Sequence, residues 1–477
     1  MSAQYLKERR GAAAAVAFVI AVACASIAPS LAAAATVASS GSGYELTVQA
    51  GSGELNTLSA SSESLGAMQQ RTTFHDETSP LTAGSGCVQA APNTVTCQTN
   101  GPPFVDFLLD DGNDRLTFDS SSFGRVRGHG GAGDDVITNI AVGNTYGYWV
   151  EVFGDAGDDQ LTSRGVVHGG DGNDRIEGGP TNDTLIGGAG NDAVFGREGG
   201  DALFGGNGQY ADPVQAGVDS LDGGVGNDTF DDQDRGSRTV QQIDSDSIVG
   251  GTGDDTVNSY ENRVADLYVD LSEPRRDGQR GEGDDLSGVE GLSGGDGNDR
   301  LYGDGDANSI FGGAGDDEIE GRGGNDTLIA TGGDDASGDQ GRDRIVIYRD
   351  STGYIRCASG RDLVELMPGT IDRRERDTRM AARISKTCER MTWRGVSFKP
   401  TPVSIRQSGR ITFGRLPFRG ARFLLTRGTP PYVKLARLRI PAHAFSVQLP
   451  PDLVRRHKKV LRVVIGGQMI YRFRLGG

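Results

Sequence analysis

Through the middle of the chain an apolar residue returns at every ninth position, and most residues between are glycine, aspartate or asparagine. Two stretches hold this period without a slip. The first begins GGDGNDRIE at Gly169 and continues GGPTNDTLI from Gly178, GGAGNDAVF from Gly187 and GREGGDALF from Gly196. The second begins GGDGNDRLY at Gly294 and continues GDGDANSIF, GGAGDDEIE, GRGGNDTLI and ATGGDDASG. Single copies start at Gly130, Gly154, Gly223 and Gly250, and partial ones end in DGNDRLT before Phe118 and in GRDRI at Ile345. The eighth place is apolar almost throughout: Ile137, Leu161, Ile176, Leu185, Val194, Leu203, Phe230, Val257, Leu301, Ile310, Ile319 and Leu328.

A period of nine fits no helix, whose faces repeat every ~3.6 residues, but it fits half a coil of a parallel β-solenoid. The first six residues of each copy then form a turn and the last three a short strand. Glycines at the first, second and fourth places permit the positive φ that a tight curl requires. Their carbonyl oxygens can point into the turn, and an acid at the sixth place adds a charged oxygen. In a three-residue strand only the middle side chain faces inward, which predicts a core one side chain wide.

The pattern GGxGxDxUx, with U apolar, resembles the RTX family of calcium-binding nonapeptide repeats. The resemblance covers about half the chain, residues 110–347. It implies an all-β protein whose centre is a parallel β-roll, in which two nonapeptides complete one coil. It further implies Ca²⁺, several ions per chain, each held between stacked turns by turn carbonyls and sixth-place side chains. On this sequence the implied glycines are Gly169, Gly170, Gly172, Gly178, Gly179, Gly187, Gly188 and Gly190, then Gly294, Gly295, Gly297, Gly312, Gly313 and Gly315. The implied sixth-place ligands are Asp135, Asp159, Asp174, Asp183, Asp192, Asp201, Asp228, Asp255, Asp299, Asn308, Asp317, Asp326 and Asp335. Alternate copies face each other, so Asp174 pairs with Asp192, Asp183 with Asp201, Asp299 with Asp317, Asn308 with Asp326, and Asp317 with Asp335. The chain departs from the pattern at Asn308, Asp306 and Thr181, and Ser337 replaces an apolar eighth place, which reads as the fraying end of the roll.

The residue types agree with that ion. Calcium takes about six to eight oxygen ligands in a flexible geometry, whereas Mg²⁺ needs a tighter octahedron. Histidine is nearly absent from the repeats, which disfavours zinc, copper and nickel. Without metal, stacked aspartates would repel across a thin core, so folding is expected to depend on the ion.

The flanks differ. Lys7, Arg9 and Arg10 precede an alanine-rich apolar run from Gly11 to Ala28, and Ala33–Ala35 offer a cleavage site. Residues 1–35 therefore read as an export signal, leaving a secreted or surface-associated protein with no stable membrane span. Residues 36–109 read as short strands, and residues 348–391 as a linker with a charged, helical piece around Arg373 to Met391. Residues 392–477 alternate apolar and basic positions and read as a small antiparallel β-sandwich. The export signal implies oxidising surroundings, in which Cys87 with Cys97 and Cys357 with Cys388 form two local disulfides. The net charge of −17 is split, with +20 from Arg349 onward and −37 before it. The basic end suits an anionic cell-wall polymer or polysaccharide, or it folds back on the acidic roll.

Three insertions interrupt the repeats, after Gly208, from Asp232 to Val249 and from Ser259 to Ser293. The last reads as extra strands of the roll. No enzyme is expected. There is no HExxH zinc motif, and His75, His129, His168, His443 and His457 are scattered without a ligand set or triad spacing. The alternative to a calcium-bound scaffold is a polysaccharide-acting enzyme or an adhesin carrying the repeats. Nucleic acid is a poor partner for an exported protein of pI about 4.8.

Overall fold

The computed structural model describes residues 34–366, with gaps at 41–42, 67, 142–148, 207–216, 232–244, 259, 261–262, 274–275 and 349–352. Beyond 366 it describes separate strands and a few single residues. The export segment lies outside the described residues but for Ala34 and Ala35.

Each nonapeptide closes on a strand too short to have a hydrophobic face of its own. Arg175–Glu177 has only Ile176 buried. Stability has to come from the layers above and below, and the strands accordingly stack in parallel on two faces. On one face Val166–Asp171, Thr184–Ala189, Ala202–Phe204 and Thr229–Asp231 follow one another. On the other Gln160–Thr162, Arg175–Glu177, Ala193–Glu198 and Ser220–Val225 do the same. The eighth-place side chains meet in register. Val167, Leu185, Leu203, Phe230, Val257, Leu292, Ile310, Leu328, Ile345 and Val364 form one inward column. Leu58, Leu116, Ile137, Leu161, Ile176, Val194, Leu221, Ile248 and Leu286 form the other. None is more than 2% exposed. Burying each one contributes about 1.5–3 kcal/mol.

The parallel ladder runs past both limits of the sequence pattern. Before residue 110, Glu45–Gln49 pairs with Phe104–Leu108, and Thr57–Gly66 with Arg115–Phe118. Ala35–Ser39 covers the first layer antiparallel, and a hairpin extension carries the disulfide between the facing residues Cys87 and Cys97. After residue 347, Arg344–Ile347 pairs with Leu363–Leu366, which pairs with Arg390–Trp393. Tyr354–Arg356 pairs with Arg383–Ile384, so strands stand at both described ends of the piece expected to be helical; residues 371–382 lie outside the described residues. The Cys357–Cys388 disulfide staples these last coils. The swing in charge near 348 leaves the ladder intact because outward side chains carry the charge and inward ones carry the packing.

One coil is a residue short. Asp317 and Asp299 are 18 residues apart, but the next residue on that edge is Asp334, 17 after Asp317. Ala336 therefore stands below Ile319 in the core, and Ser337 is not the core residue of its layer. Nor does the roll end there, since Ala336 pairs onward with Ile355.

The insertion at 259–293 exchanges two layers. Leu267–Asp270 comes first in sequence but pairs with Arg300–Tyr302, whereas Asp285–Ser287 comes later and pairs back onto Ser247–Thr252. Tyr260, fully buried, crosses this junction with its hydroxyl on Asp284 Oδ2 at 2.7 Å, and Arg263 pairs with Glu282.

Beyond the roll, Ser404–Ile405, Arg410–Thr412 and Ser446–Gln448 make one antiparallel sheet. Val433–Arg439, Arg422–Arg427, Lys459–Ile465 and Gln468–Leu475 make another. Among the described residues no helix is long and apolar enough to cross a membrane.

With one side chain per strand in the core, a cavity has no neighbour on its own strand to relax into it. Ile176→Ala should destabilise the calcium-loaded protein by about 2–5 kcal/mol, read from its urea unfolding midpoint. A loss below half a kilocalorie would contradict the single-column core.

Candidate metal-binding turns

The turns line the two edges where the chain passes between faces. On each edge the sixth-place residues stack, and one carboxylate oxygen of each accepts the backbone N–H of the sixth-place residue in the layer before. On the first edge the N–H of Asn56 is held by Asp114 Oδ1 at 2.7 Å, that of Asp114 by Asp135 at 2.7 Å and that of Asp135 by Asp159 at 2.7 Å. The series continues through Asp174, Asp192, Asp219 and Asp246, each at 2.8 Å, to Asp284 at 3.2 Å. On the second edge Asp183 holds Gly165 N–H at 2.7 Å, and Asp201, Asp228, Asp255 and Glu290 follow. Past the layer exchange the first edge resumes as Asp299, Asp317 and Asp334, and the second as Asn308, Asp326, Asp343 and Asp362.

This arrangement leaves the other carboxylate oxygen over. Oδ2 of Asp114, Asp135, Asp159, Asp174, Asp192, Asp201, Asp228, Asp255, Asp317, Asp326 and Asp343 is buried and has no hydrogen-bond partner. At Asp135, Asp159, Asp174, Asp192, Asp201, Asp228, Asp317, Asp326 and Asp343 it points at the first-place glycine of its own turn. A Cβ on Gly169 would lie 2.1 Å from Asp174 Oδ2 and 2.3 Å from the carbonyl oxygen of Gly187, the first-place residue of the next layer. The same two kinds of oxygen meet at Gly154, beside Asp159 Oδ2 and Gly169 O, and at Gly223, beside Asp228 Oδ2 and Gly250 O. Glycine at the first place is thus a steric requirement, and the space its missing Cβ leaves is lined by oxygen.

Burial pushes these carboxyls up, against the pull of the N–H each one accepts. Asp159, Asp192 and Asp317 rise to about 8, Asp135, Asp201 and Asp326 to about 7, and Asp114, Asp174 and Asp343 to about 6. Neighbouring aspartates add to the rise at most of them. A divalent cation would reverse it. Among the described residues no three His, Cys, Asp or Glu side chains gather around a point, so the donors available are carbonyls with one or two carboxylates. Such an all-oxygen set fits calcium and lacks the nitrogen and sulfur donors that favour zinc.

Most residues singled out from the sequence stand in these stacks. Asp174 lies on Asp192, Asp183 on Asp201, Asp299 on Asp317 and Asn308 on Asp326, and the isolated copies at Asp135, Asp159, Asp228 and Asp255 continue the same ladders. Asp335 does not. The short coil puts Asp334 in the ladder, and Asp335 sits exposed on the strand, holding Tyr354 N–H. Asp114, Asp246, Asp284, Asp343 and Asp362 have no glycine pair ahead of them, and an insertion parts Asp219 from the pair Gly205-Gly206 that opens its turn. Their signal was shorter: an aspartate two residues before the core side chain, as in Asp219-Ser-Leu221 and Asp362-Leu-Val364. The chain's one G-x-S-x-G string, Gly291–Gly295, includes the strand Gly291–Ser293 within the roll and leads into another turn, so it is not a nucleophile elbow.

Stacked oxygen-lined turns on a parallel two-faced roll define the class of calcium-binding β-rolls. A family model for the RTX calcium-binding nonapeptide repeat matches this chain in four copies, at residues 168–203, 215–231, 243–261 and 293–328. The chain carries that repeat. No curated protein matches it.

Because the folded carboxyls titrate above the usual 3.8, the metal-free roll binds protons more tightly than the unfolded chain. That stabilisation is complete below the unfolded value and is lost as pH rises through about 6 to 8. Protein stripped of calcium on a chelating resin should therefore show more β-structure by circular dichroism at pH 5 than at pH 8.5. Equal or reversed order at the two values would contradict the burial of these carboxylates.

Proposed function

We propose that the chain is an exported calcium-binding β-roll that folds on calcium and serves outside the cell as a structural or surface-interaction scaffold. The observation that carries this reading is the run of buried carboxylate oxygens without a hydrogen-bond donor. An unpaired buried carboxylate is costly, and a bound cation removes the cost. In the first block the donors would be Asp174 and Asp192 with the carbonyls of Gly169, Gly187 and their neighbours; in the second, Asp317 and Asp326 with those of Gly312, Gly321 and their neighbours. Binding energy for these ions is then folding energy. Affinities on the order of 10⁻⁴ to 10⁻³ M suit extracellular calcium.

Export is supported by the leader-like start of the sequence and by the two disulfides. The repeat family is one of calcium binding rather than catalysis. The basic C-terminal strands are the part best suited to hold an anionic cell-wall polymer or polysaccharide, since their apolar positions alternate with arginine.

The mature chain should change from largely disordered in EDTA to β-rich in millimolar calcium at pH 7.5, with tens of amides becoming protected from exchange. An unchanged spectrum would sink the coupling of calcium to folding. Retention on isolated cell walls that 0.5 M salt abolishes is expected of the basic end, and no retention at low salt would remove that role.

A further inference from the structure

Four sixth-place residues each accept a hydrogen bond from a backbone N–H of their own turn, and each stands at the end of a run. Asp183 opens the second edge, Asp299 and Asn308 reopen the two edges past the layer exchange, and Asp334 closes the first. In these turns the side-chain oxygen that faces inward is already taken by an N–H of its own turn. Asp183 Oδ2 accepts from Gly179 at 2.7 Å, Asp299 Oδ2 from Gly295 at 2.9 Å, Asn308 Oδ1 from Asp304 at 2.9 Å and Asp334 Oδ2 from Thr331 at 2.6 Å.

The backbone divides the same way. In interior turns the second-place residue is left-handed even when it is not glycine, as at Asp155 (φ 75°), Arg197 (φ 81°), Arg322 (φ 64°) and Asp339 (φ 60°). Such conformations cost energy in non-glycine residues and persist only where the surroundings hold them. Gly179, Gly295 and Asp304 stand outside that region although two of them are glycines. Their peptide N–H turns inward instead, so the turn presents the positive end of a dipole where interior turns present oxygen. A donor hydrogen and a cation cannot share one oxygen on the same side.

Two further observations agree. Asn308 is an amide, and an amide is sufficient to accept an N–H but brings no charge to a cation. Above Asp183 the usual turn is replaced by Ser163–Arg164–Gly165, and Arg164 is only 8% exposed. Its guanidinium donates to Ser120 Oγ at 2.9 Å, and its Cβ lies 3.0 Å from where a Cβ on Gly179 would be. Its charge opposes the effect of burial on Asp183.

We propose that these four turns are metal-free lids that terminate the ladders, with Arg164 supplying a fixed positive charge at Asp183, and that calcium enters only at the interior turns. The proposal rests on the calcium reading of the interior turns given above. Bound calcium per full-length mature chain, measured by calorimetry and by metal analysis of dialysed protein, tests it. Asp192→Asn, in the interior, should lose at least one ion and raise the calcium midpoint of folding at least threefold. Asp183→Asn and Asp299→Asn should keep the full count and shift that midpoint less than twofold. If either lid variant loses as many ions as Asp192→Asn, the lids bind calcium and the proposal is overturned. If one lid variant fails to fold in calcium, the other decides. If Asp192→Asn itself keeps every ion, the calcium reading of the ladders fails rather than the distinction between lids and interior.

Discussion

A carboxylate has two oxygens, and stacking the turns uses one. The N–H of each layer's sixth residue must be satisfied once it is buried, and the carboxylate of the next layer does this at 2.7–2.9 Å over most of both edges. That bond fixes the turn-to-turn register and turns the second oxygen toward the hollow of the first-place glycine. Everything characteristic of the molecule depends on this division. The glycines are needed because oxygen fills the space a side chain would occupy, and the core can be one residue wide because the edges hold the layers in line.

The same division sets the roll's dependence on its surroundings. Buried carboxylates with neighbours of the same charge tend to hold protons near neutrality, so the layers compete with solvent for a compensating positive charge. Protons, calcium, an internal N–H and an arginine are four ways of supplying it, and the chain uses protein groups at the ends of its ladders. The column of Val167, Leu185, Leu203 and Phe230 contributes packing that needs no metal, but a three-residue strand does not offer enough of it to stand alone.

The period and the apolar eighth place made the roll legible, because both follow directly from the two-oxygen stacking and the single inward side chain. Less legible were the coils at either end. Glu45–Gln49 and Thr57–Gly66 belong to the ladder through ordinary alternating strands, and their turns carry Asn56 and Glu54 instead of a glycine repeat. The one-residue deficit before Asp334 could not be seen in a string that still reads GGDD, since the frame is set by which residue faces the core: Ala336, not Ser337. The distinction between Asp183 and Asp192 was invisible for another reason. Both are the sixth residue of a copy, and what separates them is the direction of the Gly179 peptide group and a distant residue, Arg164, that the repeat frame does not mark.

The exchanged layers place a condition on how the roll is assembled. Asp285–Ser287 ends the ladder that carries Ser247–Thr252, though the chain reaches it after Leu267–Asp270, which belongs to the next ladder. A coil wound strictly in order of synthesis or of emergence through a pore cannot produce that arrangement. The segment around Leu267 has to be held one storey away until the later strand slips into place, with Tyr260 as the latch across the junction. The upper ladder on this face is therefore completed only after the chain has passed through the first strand of the lower one, while the column of Val257, Leu292 and Ile310 runs unbroken across the junction on the other face.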